Sequence, residues 1–192
     1  MSGGRIVLAS ANPHKAAEFA RLLPGYDVTP YEGLLPPETG TTFLENARIK
    51  AVHVHRATDG AAWVLADDSG IEAAALGGAP GVYSARYAGE DATDAENLAK
   101  LLHALRDGDD RRVRYVAELA AVSPEGREMH ARGELRGTLA AGPRGSGGFG
   151  YDPAFVPDGE TRTVAEMSAA EKDAISHRAR AAAALRPQLP AE

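Results

Sequence analysis

Asp67 and Asp68 stand side by side in Val64-Leu65-Ala66-Asp67-Asp68-Ser69-Gly70-Ile71. An apolar run leads into two carboxylates, a hydroxyl and a glycine. Aspartate is depleted inside strands, so a pair at the end of one needs a physical reason. Neighbouring carboxylates repel, and one takes up a proton unless a cation or hydrogen-bond donors intervene. Mg2+ suits hard oxygen ligands and usually comes with phosphates. The stretch reads as a buried strand that carries acids to a sheet edge. The plainer alternative is a pair of turn residues before Gly70.

Three further stretches could share that chemistry. Ser10-Ala11-Asn12-Pro13-His14-Lys15 follows a short strand. Asn12 is a good N-cap and Pro13 suits the first helical position. A helix start offers backbone N–H groups and a positive dipole end to an anion. Lys15 in that first turn opposes the dipole, which makes sense with an anion between them. Next, Asn46, Lys50 and His53 share one polar helix face. Such a face is usually just wet, but here it carries candidate phosphate ligands. Third, the glycines at 142, 145, 147, 148 and 150 surround Phe149 and precede Tyr151 and Asp152. So many glycines suit close approach or positive φ. The two aromatics could stack a base, and Asp152 could accept N–H groups from base or sugar. A mobile loop with its aromatics tucked into the core is the alternative. Neither phosphate-binding glycine motif, G-x-x-x-x-G-K-[ST] or G-x-G-x-x-G, is present.

The elements that must position these residues follow from local signals. Arg5 to Ser10 reads as a strand. Ala16, Phe19, Leu22 and Leu23 then continue at helical spacing up to Pro24-Gly25. Residues 26–41 read as a β-segment and loop. Thr42/Glu45, Thr93/Glu96 and Ser168/Glu171 are capping boxes. The first opens a helix to about Thr58 with Phe43, Ala47, Ala51 and Val54 inward. The second opens an amphipathic helix through Leu98, Leu101, Leu102 and Leu105. Between them, Ile71 to Leu76 could continue as a strand, and 77–87 reads as a Gly- and Pro-rich loop. Residues 112–122 and 127–139 form a hairpin. Phe155-Val156 and Thr163-Val164 are short strand candidates. The last helical stretch carries Lys172, His177 and Arg178, with Ser176 a possible second cap.

The chain has 192 residues, 44% hydrophobic and 25% charged, and a net charge of −6. That length suits one domain, 1–192, with room for two lobes. An acidic balance argues against nucleic acid as a partner. It has no cysteine, hence no disulfide framework or thiol chemistry. No apolar run reaches membrane-spanning length. The N-terminal apolar run is too short for a signal peptide, so a cytoplasmic location is expected, with no membrane partner.

The segments S-A-N-P-H-K (10–15), T-F-L-E-N-A-R-I-K-A (42–51), L-A-D-D-S-G-I (65–71), G-G-A-P-G-V-Y-S-A-R-Y-A-G (77–89), G-G-F-G-Y-D-P-A-F (147–155) and A-E-M-S-A-A-E-K-D-A-I-S-H-R (165–178) occur in this order. The chain thereby resembles the inosine/xanthosine triphosphatase family of non-standard purine nucleoside triphosphate pyrophosphatases, over nearly its full length. The resemblance implies an α/β fold with a long mixed central sheet flanked by helices, two lobes with an active-site cleft between them, and a homodimer. It implies Mg2+-dependent hydrolysis of dITP, ITP and XTP to monophosphate and pyrophosphate, a house-cleaning activity. By position, Ser10, Ala11, Asn12, Pro13, His14 and Lys15 resemble the triphosphate loop. Asp68 resembles the proton acceptor and metal ligand, and Ser69 a substrate contact. Phe149, Gly150, Tyr151 and Asp152 resemble the base and sugar pocket, and Lys172, His177 and Arg178 further nucleotide contacts. Many members place an acid just before E-T-G; here that residue is Pro37. The second metal carboxylate stays open among Glu38, Glu45 and Asp67.

On this view Asp68 takes the proton of the attacking water, while Lys15 and Lys50 hold the polyphosphate. Donors such as His177 and Arg178 would favour a 6-oxo purine over adenine. Two rivals remain at this stage. One is a pyrophosphatase for other modified nucleotides, and the other is a module that binds purine triphosphates without cleaving them.

Overall fold

A computed structural model describes residues 3–106 and 108–189; Met1 and Ser2, the start of the segment weighed as a signal peptide, lie outside them. Among the described residues six strands form one mixed sheet: β1 (Gly3–Leu8), β2 (Tyr26–Pro30), β3 (Trp63–Ala73), β4 (Arg112–Val122), β5 (Glu128–Leu139) and β6 (Phe155–Pro157). Their spatial order is β2-β1-β3-β4-β5-β6. β1 pairs parallel with both β2 and β3, and β5 pairs antiparallel with β6. The helices are α1 (Pro13–Leu22), α2 (Phe43–Ala57), α3 (Asp94–Ala104), α4 (Ala169–Ile175) and α5 (His177–Leu185).

The chain forms two compact units. The first comprises the chain up to Asp68, Ala117–Gly133, and the part from His177 onward; the second comprises Ser69–Val116 and Glu134–Ser176. In the first unit, strand alternation sorts the core. Leu65 packs in a cluster with Phe19 of α1 and with Ala181 and Leu185 of α5. Its neighbours Val64 and Ala66 pack with Ala47, Ala51 and Val54 of α2. Successive strand side chains point to opposite faces, so α1 and α5 cover one face of β3 and α2 covers the other. Sequence order reverses at β1, whose neighbours are β2 and β3. In open α/β sheets the carboxyl ends at such a switch point are where ligands bind. Ser10–Lys15 follows β1 there, and Ala9 N–H donates to Leu65 O at 2.7 Å.

In the second unit Ile71, Ala73, Val113, Tyr115, Leu135, Leu139 and Phe155 form a core with Leu98, Leu101 and Leu105. The Tyr115 and Phe155 rings stack at 4.3 Å.

Most local expectations hold. Asn12 caps α1, and all three capping boxes close in both directions. Three expectations change. First, β3 does not end at the aspartates, and the continuation expected over 71–76 holds as far as Ala73. It runs on through Ser69-Gly70-Ile71 to Ala73, between β1 and β4. Gly70 permits this, since a Cβ there would overlap Ser84 Oγ. Second, 74–76 is a 3-10 turn rather than strand, and Gly81–Arg86 is another. Third, Thr163-Val164 is no strand. Thr163 N–H donates to Glu166 Oε2 at 2.7 Å and starts a 3-10 turn, Val164–Glu166.

Candidate active site

Asp67 and Asp68 point to opposite faces of β3, and the two faces give them opposite chemistry. Asp67 is fully buried on the α1/α5 face. Its Oδ2 lies 2.7 Å from Lys15 Nζ and 3.3 Å from Arg178 Nε. Burial pushes the carboxyl up, but Lys15 and Arg178 overcome it and hold Asp67 well below the usual range. Asp67 is thus a permanent anion, and its charge is spent within the chain. Arg178 also reaches Glu18 Oε2 at 3.2 Å. Lys15 sits in a buried setting that lowers its pKa, with nearby Arg178 and Lys50 acting the same way against Asp67. The anion that explains a lysine in the first turn of α1 is therefore Asp67. Lys15 is not a solvated surface residue.

Asp68, on the α2 face, is buried but differently served. Lys50 Nζ lies 2.7 Å from Glu38 Oε1, 2.9 Å from the Asp67 carbonyl and 3.5 Å from Asp68 Oδ1. Asp68 Oδ2 is buried with no hydrogen-bond partner among the described residues. Burial raises the Asp68 pKa, Lys50 pulls it back, and the Glu38 charge raises it again. Burial also works against the Lys50 charge, but Asp68 and Glu38 outweigh it and raise the Lys50 pKa. α2 supplies Lys50, and its buried neighbour Asn46 accepts Gly40 N–H at 2.7 Å, which fixes the end of the Glu38 loop. The Asn46–Lys50 face is therefore buried, and of the three polar residues read there only His53 is exposed.

These contacts bear on which carboxylate could join Asp68. Glu45 is an exposed capping residue that accepts from Thr41 and Thr42. Asp67 is neutralised by Lys15 and Arg178. Glu38 alone of the three shares a cation with Asp68. Glu38, Asp68 and the bare Oδ2 make an all-oxygen donor set suited to Mg2+. Among the described residues no three His, Asp or Glu side chains form a metal cage. Mg2+ is commonly held by one or two carboxylates, waters and substrate phosphate.

The 10–15 loop is less open than its sequence suggests. His14 and Lys15 N–H both donate to Asn12 Oδ1, at 2.9 and 3.3 Å, and Asn12 N–H donates to Ser10 Oγ. The cap has taken the amides that were expected to face an anion. The helix dipole and the Asn12 side-chain amide remain, with a Lys15 ammonium that is shared with Asp67. Ala11, Pro13 and His14 are exposed, and Ser10 is buried. Ser69 is half-buried and follows Asp68 on β3.

In the second unit, Asp152 is the hub. Its Oδ1 accepts Tyr115 O–H at 3.0 Å, and its Oδ2 accepts Phe149 N–H at 2.9 Å and Lys172 Nζ at 2.7 Å. Lys172 lies 4.5 Å above the half-buried Phe149 ring. Gly148 at φ 68° leaves the room that the Asp152 carboxylate fills. Asp94, the first residue of α3, accepts Gly150 N–H at 2.7 Å. Tyr151 is not a stacking platform. It is buried in the core, donates to Ser84 O at 2.7 Å, and burial raises its pKa. Phe149 is only half-buried, unlike Tyr151.

His177 and Arg178 are both buried at the start of α5. Arg178 engages Asp67 and Glu18 through its Nε and Nη1. Glu18, Tyr115 and Asp94 escaped the sequence reading. Glu18 carried one usable signal, its place one helical turn after Lys15. A cavity of about 650 Å3 in the second unit is lined by Glu72, Arg112, Arg114, Arg136 and Asp158, among others. It holds none of the predicted site residues. Arg114 is paired with Glu72 and Glu134, and Arg112 with Asp110.

The fold and these clusters define an α/β protein that presents a buried lysine-flanked carboxylate pair at a sheet switch point. The chain belongs to the Ham1 family, whose model matches residues 6–188. A protein of Mycobacterium tuberculosis named dITP/XTP pyrophosphatase is 50% identical over 200 residues, covering 96% of this chain and 95% of that protein. A HAM1 protein from Coxiella burnetii has a solved structure matching with a TM-score of 0.85 at 42% identity, covering 98% of both chains. The crystal structure of a nucleoside-triphosphatase / dITP/XTP pyrophosphatase from Mycobacterium abscessus matches at 0.75 and 45% identity, covering 95% of this chain and 99% of its own.

Proposed function

We propose that this chain is a hydrolase that cleaves dITP, ITP and XTP between the α- and β-phosphates, releasing the monophosphate and pyrophosphate. The carrying observation is Asp68: a buried carboxylate with a bare Oδ2 and a raised pKa, set opposite an aspartate locked as an anion. Paired acids whose environments push their pKa values apart mark a division of roles. Asp68 takes the proton of the attacking water at Oδ2. Lys15 and Lys50 hold the polyphosphate, with Ser10–His14 and Ser69 around it. Glu38 and Asp68 would hold Mg2+, which when bound neutralises charge on the leaving pyrophosphate and acidifies a water. Phe149 stacks the base, with Gly150 and Asp152 shaping its pocket. Lys172, poised over that ring, donates to a 6-oxo group; adenine would present an amine to the ammonium instead, an unpaired arrangement costing roughly 1–3 kcal/mol.

We read residues 1–192 as one catalytic domain acting as a homodimer in the cytoplasm. No helix among the described residues is long and apolar enough to cross a membrane. The test is a panel of ITP, dITP, XTP, ATP, GTP, dTTP and a methylated pyrimidine triphosphate, with and without Mg2+. Pyrophosphate from the 6-oxo purines, dependent on Mg2+, is the expected result. Release of orthophosphate, or equal turnover of ATP, would overturn it.

A further inference from the structure

Glu18 is 2% exposed on α1, outside the six sequence segments quoted above, and its side chain meets Arg178. Its Oε2 lies 3.2 Å from Arg178 Nη1, while Oε1 is buried without a hydrogen-bond partner among the described residues. Burying a carboxylate with half its acceptor capacity unused is costly. Stability alone is a poor reason to keep it.

The geometry supplies another reason. Arg178 Nε lies 3.3 Å from Asp67 Oδ2, the same oxygen that Lys15 Nζ reaches at 2.7 Å. A guanidinium prefers to grip one carboxylate with two parallel hydrogen bonds. Here it does not: it is shared between Asp67 and Glu18. We infer that Glu18 is a positioning residue which holds Arg178 to one flank of Asp67 and so leaves the other flank for Lys15. Without Glu18, the Arg178 fork closes on both oxygens of Asp67 and displaces the Lys15 ammonium from its place. This inference rests on the proposed role of Lys15 as a triphosphate ligand.

The test compares wild type with Glu18→Gln, Glu18→Asp and Lys15→Ala in the full chain. Three quantities are measured: kcat and KM for dITP, Ki for inorganic tripolyphosphate, and Tm. Tripolyphosphate has no base, so its Ki reports the phosphate site alone. Glu18→Gln keeps the shape but removes the charge. It should raise both KM and Ki about tenfold, the size of one lost interaction, with kcat within twofold. Glu18→Asp, which keeps the charge, should recover most of the Ki and carries the comparison if the glutamine variant does not fold; a Ki for it as poor as that of Lys15→Ala would overturn the role of the charge. An unchanged or lower Ki in Glu18→Gln overturns the inference, because Glu18 then only balances a buried arginine and the loss shows in Tm alone. Lys15→Ala separates the two levels. If it leaves Ki unchanged, the reading of Lys15 falls. If it weakens Ki while Glu18→Gln does not, only the role of Glu18 falls.

Discussion

Replacing Lys50 by Met tests the electrostatics of the Asp68 side most directly. Methionine fills much of the lysine stem volume and leaves out the ammonium. Three contacts disappear, at 2.7 Å to Glu38, 2.9 Å to the Asp67 carbonyl and 3.5 Å to Asp68. A hydrogen bond to a charged partner contributes about 1.5–3 kcal/mol, and the lower end applies because the Glu38 side chain is 27% exposed. The stranded Asp67 carbonyl costs about 1–3 kcal/mol. At 3.5 Å and an effective dielectric near 20, the Lys50–Asp68 attraction is 332/(20 × 3.5), about 5 kcal/mol. Desolvation of Lys50, the largest influence on its pKa, cancels most of that. The expected net loss is about 3 kcal/mol, a large part of an ordinary folding free energy.

The pH dependence of that loss carries the sign. Lys50 has a raised pKa, so its stabilisation is present across neutral pH and fades only as pH rises through its folded value. In Lys50→Met, Asp68 and Glu38 face each other without the ammonium between them. Acid protonates them and removes the repulsion, so the deficit should be largest at pH 7 and smaller at pH 4. Mg2+ should stabilise the variant more than wild type, since no ammonium competes with it. Urea unfolding at both pH values, with and without Mg2+, measures all of this. A deficit under 1 kcal/mol at pH 7, or one that grows on acidification, would refute the reasoning.

Three other outcomes are expected. Asp68→Asn removes a charge that burial disfavours, so Tm should hold or rise, by roughly 0.5–2 kcal/mol of stability, while turnover falls at least 10²-fold; calorimetry beside a pyrophosphate assay checks both. The lowered Lys15 pKa predicts that affinity for triphosphate falls on the alkaline side before the ordinary lysine range near 10.5, so KM against pH should rise there, and a flat profile to pH 10.5 would contradict it. Gly148→Ala, at φ 68° and with a Cβ overlapping Asp152 Oδ2, should cost about 1–3 kcal/mol and raise KM for dITP without changing Ki for tripolyphosphate.

What was legible in the chain was local. Asn12-Pro13 fixes the start of α1, and each capping box writes both of its partners within four residues. The hairpin of β4 and β5 announces itself through Ser123-Pro124-Glu125-Gly126, where Ser123 N–H donates to Arg127 O at 2.9 Å. The candidate site was legible as residue types but not as pairings. Lys15 with Asp67 and Lys172 with Asp152 are tertiary contacts, and Glu18 with Arg178 spans 160 positions. No periodicity connects such partners. The break expected in β3 at the aspartates is absent for a related reason. Asp-Asp-Ser-Gly carries every local mark of a turn, and only the strands on both sides, with Ser84 filling the space over Gly70, keep it extended. Tyr151 reads like Phe149 in sequence, and only burial tells the two rings apart.

Adjacency in sequence and difference in chemistry are compatible here because β3 is a strand. On a helix, residues 67 and 68 would share much of one environment, and their charges would have to be relieved together. On a pleated strand they face opposite layers. The layer of α1 and α5 brings two cations to Asp67 and leaves it no freedom to titrate. The layer of α2 brings one cation, already divided with Glu38, so the charge on Asp68 stays incompletely compensated. A base needs that incompleteness: a carboxylate fully satisfied by fixed donors has little reason to take a proton from water. In the proposed mechanism the second aspartate is reactive because the first engages Lys15 and Arg178 on its own side of the sheet, and an apolar or amide side chain at 67 would take from Lys15 its ion-pair partner.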